Sequence, residues 1–223
     1  MPDAAPAHRD GIAPEDQARG DFYALLARLF AKAPDSGLLA SLANAAPLVV
    51  DANATPLPVD ADPANADAHS NGLAEAWSGL CAASAAADPA AVGEEFLALF
   101  IGVGRSEVSP YASHYLGPQS GRPLAEIRAG LAALGLARLP ENSEFEDHLA
   151  VVLEGMRMLV TGDDERPPTE ISLQRSFFDQ HLISWAFDCC TAIEESPVAN
   201  YYRSVAQFAR TFLALERDSL AMD

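Results

Sequence analysis

The chain is 223 residues long, half apolar (49%), and carries a formal net charge of −18 from 32 acidic against 14 basic residues. That length and apolar content suit one large domain or two small ones with a packed core and exclude a disordered polymer. The acidity leaves no basic surface to neutralise phosphates, so no nucleic acid is expected as a partner, whereas a basic peptide would be steered inward.

Residues 1–15 are rich in Ala, Pro and Asp and are expected to be loose. The opening stretch, MPDAAPAHRDGIAPEDQARG, has neither the basic nor the apolar region of an export signal. No window approaches the roughly 20 apolar residues of a bilayer span, so no stable membrane insertion is expected. The cysteines are Cys81 and the adjacent Cys189 and Cys190, a poor disulfide framework. The chain reads as cytoplasmic.

A first helix is expected from about Asp16 to Lys32, with Phe22, Leu25, Leu26, Leu29 and Phe30 on one face and Pro34 as its stop. Asp35 can cap a short second helix. The stretch Pro47 to Asp67 holds Pro47, Pro56, Pro58 and Pro63 without helical period and reads as a mobile loop at about 47–67. A third helix runs through Leu73, Trp77 and Leu80. A fourth opens on Asp88 and Pro89 and presents Val92, Phe96, Leu99 and Phe100.

After a segment broken by Gly and Pro, a helix starts at Pro123 and ends at Gly135. Ser143 and Glu146 then spell the S-x-x-E capping box of a helix whose face is Phe145, Leu149, Val152, Leu153, Met156, Leu159 and Val160. In that reading Asp147 and His148 sit about one turn inside the helix, and Gly162 stops it. The linker GDDERPP leads to a long helix from about Thr169 to Glu195. A last helix begins at Ser196–Pro197 and buries Val198, Tyr201, Tyr202, Val205, Phe208, Phe212 and Leu215. No run alternates with period two long enough for a strand. Residues 16–223 are therefore expected to form an all-α chain, a single globular bundle of about nine helices.

The residue types for turnover are missing. A di-iron bundle needs Glu-x-x-His on two helices, yet Phe145 precedes His148 by three and Phe178 precedes His181 by three. Glu144 and His148 could share one metal ligand position, but no second set answers them. There is no H-E-x-x-H, no C-x-x-C and no G-x-S-x-G elbow, and FIGVGRSE lacks the ending of a phosphate loop. No catalytic residue, metal or cofactor is expected.

Four short motifs remain, in order. They are E-x-F-x-x-L-F-x-G (Glu94 to Gly102), P-Y-x-S-x-Y (Pro110 to Tyr115), E-D-H (Glu146 to His148) and F-x-x-H-L-x-x-W (Phe178 to Trp185). Phe96, Leu99, Phe100, Leu182 and Trp185 suit a core, whereas Tyr111, Ser113, His114 and Tyr115 lie where apolar bulk is less needed. Together, from about Asp21 to Leu215, the set resembles the TorD/DmsD family of cytoplasmic redox-enzyme maturation chaperones. Two departures stand out: Phe145 occupies a position where the family commonly has proline, and Val103-Gly104-Arg105 follows the glycine of the first motif.

The resemblance implies a TorD-like helical fold with a mobile connection between an amino-terminal and a carboxy-terminal helical group. It implies no enzyme but a chaperone that binds the twin-arginine signal peptide and apo form of a molybdenum-containing oxidoreductase and assists cofactor insertion before export. The wording G-V-G-R and P-Y-A-S looks most like members associated with formate dehydrogenases. Tyr111, Ser113, Tyr115, Phe145, Glu146, Asp147 and His148 are then the expected peptide-binding set. Glu146 and Asp147 would take guanidinium forks, Tyr111, Tyr115 and Phe145 would wall the apolar run, and His148 would donate to the peptide backbone and orient the acid. A monomer is expected, with a minor domain-swapped dimer. The rivals are a small helical enzyme or nucleotide-dependent switch, and a structural subunit.

Overall fold

A computed structural model describes residues 12–48, 63–102, 106–117, 122–136, 144–164 and 166–222, with 63–70 as backbone only. Every element among them is helical: α1 (Pro14–Ala31), α2 (Ser36–Ala43), α3 (Pro63–Ala86), α4 (Pro89–Phe96), α5 (Ala112–Leu116), α6 (Arg122–Ala133), α7 (Leu149–Thr161), α8 (Ile171–Phe177), α9 (Ile183–Glu195) and α10 (Tyr201–Met222). A π-helical turn, Leu97–Ile101, continues α4, and a second, Phe178–Leu182, joins α8 to α9. Counted as unbroken helices these make nine among the described residues, and the fold class is all-α. None of them is long and apolar enough to cross a membrane.

Several starts follow local rules. The Asp35 side chain accepts from the backbone N–H of Leu38 at 2.8 Å, and Asp88 accepts from Ala90 and Ala91 with Pro89 in the first turn of α4. Other starts depart from the sequence expectation. The helix α3 begins at Pro63, inside the segment 47–67 expected as a loop, because proline is well suited to a first helical position. The rest of that segment, 49–62, lies outside the described residues, as does most of the loose terminus expected at 1–15.

The chain groups into two compact units. One comprises Met1–Ala31 with Tyr111–Ser184, the other Lys32–Pro110 with Trp185–Met222, so each draws on both halves of the sequence. In the first unit α1 packs against α7, and Gly20 lies directly against Thr161. A Cβ on Gly20 would stand 2.2 Å from Thr161 Cγ2, and the Thr161 hydroxyl is already tied to the Arg157 carbonyl at 3.0 Å. Only glycine permits that approach. Gly162, at φ +68, ends α7, and the following turn closes with Asp163 accepting from the Arg166 backbone N–H and guanidinium.

In the second unit α10 packs against α3 and α4, and α2 packs against α3. Its start lies at Tyr201, not at Ser196–Pro197, and Val198 is 41% exposed. The cap explains the shift. The Glu95 carboxylate on α4 accepts from the backbone N–H groups of Asn200, Tyr201 and Tyr202 at 2.8–3.0 Å. It satisfies the orphan donors of a helix more than a hundred residues away and complements that helix's positive end. Phe96, Phe100 and Tyr202 pack on one another, with ring centroids 5.2–5.8 Å apart. The stretch of the first motif is thus a structural joint, with the cap supplied by Glu95 at an unspecified position of the motif and not by its leading Glu94.

Candidate functional site

The second and third motifs meet in the first unit. Tyr111 and His148 form an isolated antiparallel bridge, and the Ala112 N–H donates to the Asp147 carbonyl at 2.9 Å. Asp147 then turns its carboxylate to the start of α5, where Oδ2 accepts from the Ser113 N–H at 3.1 Å. The rings of Tyr111 and His148 meet edge to face at 4.9 Å. The Tyr111 hydroxyl donates to Glu144 Oε2 at 2.5 Å. Four side chains from two short sequence stretches, Tyr111, Glu144, Asp147 and His148, are thereby fixed on one another or on the backbone of α5.

Of the capping box expected at Ser143 and Glu146, Ser143 lies outside the described residues and Glu146 does not cap α7. That helix begins at Leu149 with His148 as its N-cap, whose Nδ1 accepts from the Ala150 N–H at 3.1 Å. Glu146 is drawn elsewhere: Arg128 of α6 grips it with two parallel bonds of 2.9 Å. Phe145, Glu146 and Asp147 consequently precede the helix rather than lying in its first turn. Phe145, expected on the buried face, is 53% exposed. Glu146, Asp147 and His148 are buried, at 8%, 2% and 5% exposure. The two carboxylates expected to receive a peptide's guanidinium groups are engaged within the chain, one by an arginine and one by a backbone N–H.

Protonation states follow from the same geometry. Burial pulls His148 below its ordinary value, against the raising pull of the Glu144 and Asp147 carboxylates. Its Nδ1 is an acceptor, so the neutral ring carries its proton on Nε2, 4.0 Å from Glu144 Oε2. His148 therefore serves the α7 backbone rather than orienting Asp147. Burial and the Glu144 hydrogen bond push the Tyr111 phenol well up, which keeps it a donor. Tyr115 and Ser113 are half-buried, Tyr115 stacks edge-on with exposed His114, and Leu116 is 43% exposed. Among the described residues no three His, Cys, Asp or Glu side chains converge as metal ligands.

The fourth motif is mostly core. Phe178, Leu182 and Trp185 are fully buried, and the π turn is built from Phe178 to Leu182. His181 lies against Gly130 of α6, where an added Cβ would stand 2.4 Å from Nε2. Arg128 and Glu144 were not part of the expected set. The E-D-H triplet points to neither, because their partners lie 18 and 33 residues away in sequence.

The family model described as "Nitrate reductase delta subunit" matches residues 66–191, more than half of the chain. Among curated proteins, the "Chaperone protein TorD" of Shewanella loihica is 25% identical over 215 residues, covering 93% of this chain and 95% of its own. The protein of the same name from Shewanella pealeana is 27% identical over 219 residues, covering 94% and 92%. That of Aliivibrio salmonicida is 27% identical over 135 residues, 57% of this chain, and the chain spans 63% of that relative's length. The match along the helical motifs is what the resemblance in the sequence had implied, and the chain belongs to the TorD/DmsD family of redox-enzyme maturation chaperones.

Proposed function

We propose that this protein binds the twin-arginine signal peptide and the apo form of a molybdenum-containing oxidoreductase, and holds the apoenzyme while its cofactor is inserted before export. One observation carries the reading. Tyr111, Ser113, Asp147 and His148 are locked into a rigid floor, and Phe145 stands 53% exposed at its edge. A floor that holds an aromatic in water is a cost without a partner and a binding anchor with one. The half-buried Tyr111 and Tyr115 and the exposed Leu116 extend the apolar contact for the run that follows a twin-arginine pair. The net charge of −18 attracts a cationic peptide from a distance. The G-V-G-R and P-Y-A-S wording favours a formate dehydrogenase as the client.

In this reading the protein works in the cytoplasm as a monomer with a minor swapped dimer, and binds without turning its client over. Titration calorimetry with the client's signal peptide tests it, run beside a peptide whose two arginines are alanine. Tighter binding of the arginine peptide is expected, and equal affinity for the two would remove the reading. Capture from the native host separates the rivals: a chaperone brings down one large oxidoreductase precursor, a structural subunit its mature complex.

A further inference from the structure

We infer that the Glu146 carboxylate is a guanidinium receptor which the chain keeps filled with its own Arg128, and that a client arginine enters by displacing it. The inference rests on the proposed peptide binding for its biological use, though not for its chemistry. The asymmetry of the pair is the starting observation. The Glu146 side chain is 10% exposed and the Arg128 side chain 54%, while two bonds of 2.9 Å join them. A carboxylate buried to that degree needs a cation with a matching fork. The guanidinium, half in water, loses little by leaving. What the fold specifies is therefore the receptor, and the occupant is exchangeable.

Position supports the exchange. Glu146 lies between Phe145, which is exposed, and Asp147, whose carboxylate pins the start of α5. An arginine that replaced Arg128 would bring its backbone beside Phe145. Arg128 itself sits on α6, so it can swing into solvent without disturbing the Tyr111–His148 bridge. The fork selects arginine over lysine, because an ammonium group makes no second parallel bond. Arg128 then acts as an internal competitor that lowers affinity for the client and helps release it.

The test uses Arg128→Gln, which keeps bulk and loses charge, with Arg128→Lys as the second variant should the first fail to fold. n-Propylguanidinium at millimolar concentration should raise the thermal midpoint of the variant saturably, as a ligand of the folded state must. It should shift the wild type only at about fivefold higher concentration and Glu146→Gln not at all, and n-propylammonium should do nothing. The arginine signal peptide should bind the variant about fivefold tighter than the wild type, the gain expected if Arg128 fills the receptor about 80% of the time. The gain should vanish with the alanine peptide. No propylguanidinium shift, or peptide binding equal to or weaker than wild type, overturns the inference while leaving arginine-dependent binding by the wild type intact. If the wild type shows no arginine dependence but propylguanidinium still saturates the variant, the receptor stands and the proposed function falls.

Discussion

The two units use one device in two ways. In each, a carboxylate from a distant stretch accepts at a helix start: Glu95 from three backbone N–H groups at α10, Asp147 from that of Ser113 at α5. Around Glu95 the rings of Phe96, Phe100 and Tyr202 pack on one another, and Phe96, Phe100, Tyr201 and Tyr202 are all buried. Around Asp147 the floor is as well tied, yet its neighbours Phe145, Arg128 and Leu116 reach into water. The same hydrogen-bonding logic yields a joint in one place and a surface in the other. A motif of acids and aromatics does not by itself announce binding, and the two regions differ in the exposure of their rims.

Glu95→Ala should cut deepest if the joint is structural. It leaves three donors at the α10 start without their acceptor, and the loss of a charged cap should cost about 2–3 kcal/mol in urea unfolding. The affinity of the remaining folded protein for signal peptide should be unchanged. A loss of binding without a loss of stability would make Glu95 part of the peptide surface and dissolve the comparison.

His148→Ala comes next, at about 1–2 kcal/mol, since it removes the α7 cap and a buried ring together. The sequence alone suggests a smaller effect, because it places His148 in an exposed first turn. The same residue gives the site its pH dependence. His148 and His181 both sit below their ordinary value when folded, so the unfolded chain binds protons more readily. Stability is then full above the unfolded value of about 6.5 and falls as pH drops below it toward the folded values. Glu144, Asp147 and Tyr111 face His148, and the two carboxylates soften that fall without reversing it. In His148→Asn, which can still cap, unfolding followed from pH 7.5 to 5.5 should show a shallower loss. An unchanged slope would assign the dependence elsewhere.

Phe145→Ala should be the quietest in the fold and the loudest in binding. An exposed side chain outside a helix changes stability by no more than about 0.5 kcal/mol, while an interface aromatic costs about 1–2 kcal/mol of binding when truncated. Unchanged peptide affinity in calorimetry would move the anchor away from this edge.

These contrasts also mark what the sequence carries. The all-helical class, the caps at Asp35 and Asp88 and the buried face of α10 are local signals, because periodicity and capping act within a few residues. The start of α7 is misread for the same reason. S-x-x-E is a local signature, but Glu146 is claimed by Arg128 from another helix, and a histidine nitrogen does the capping. The start of α10 depends on Glu95, which no window around Tyr201 contains. At the candidate site, the residues of P-Y-A-S and E-D-H were legible as a set. Their burial, and the parts played by Arg128 and Glu144, exist only once the chain has folded.

Hydrogen–deuterium exchange on the wild type, with and without the arginine signal peptide, tests the central claim most directly. Protection should rise at 111–117 and 144–150 and stay unchanged at 94–102 and 200–205. Protection confined to the Glu95 joint, or no change at 111–117 and 144–150 under saturating peptide, would contradict the account.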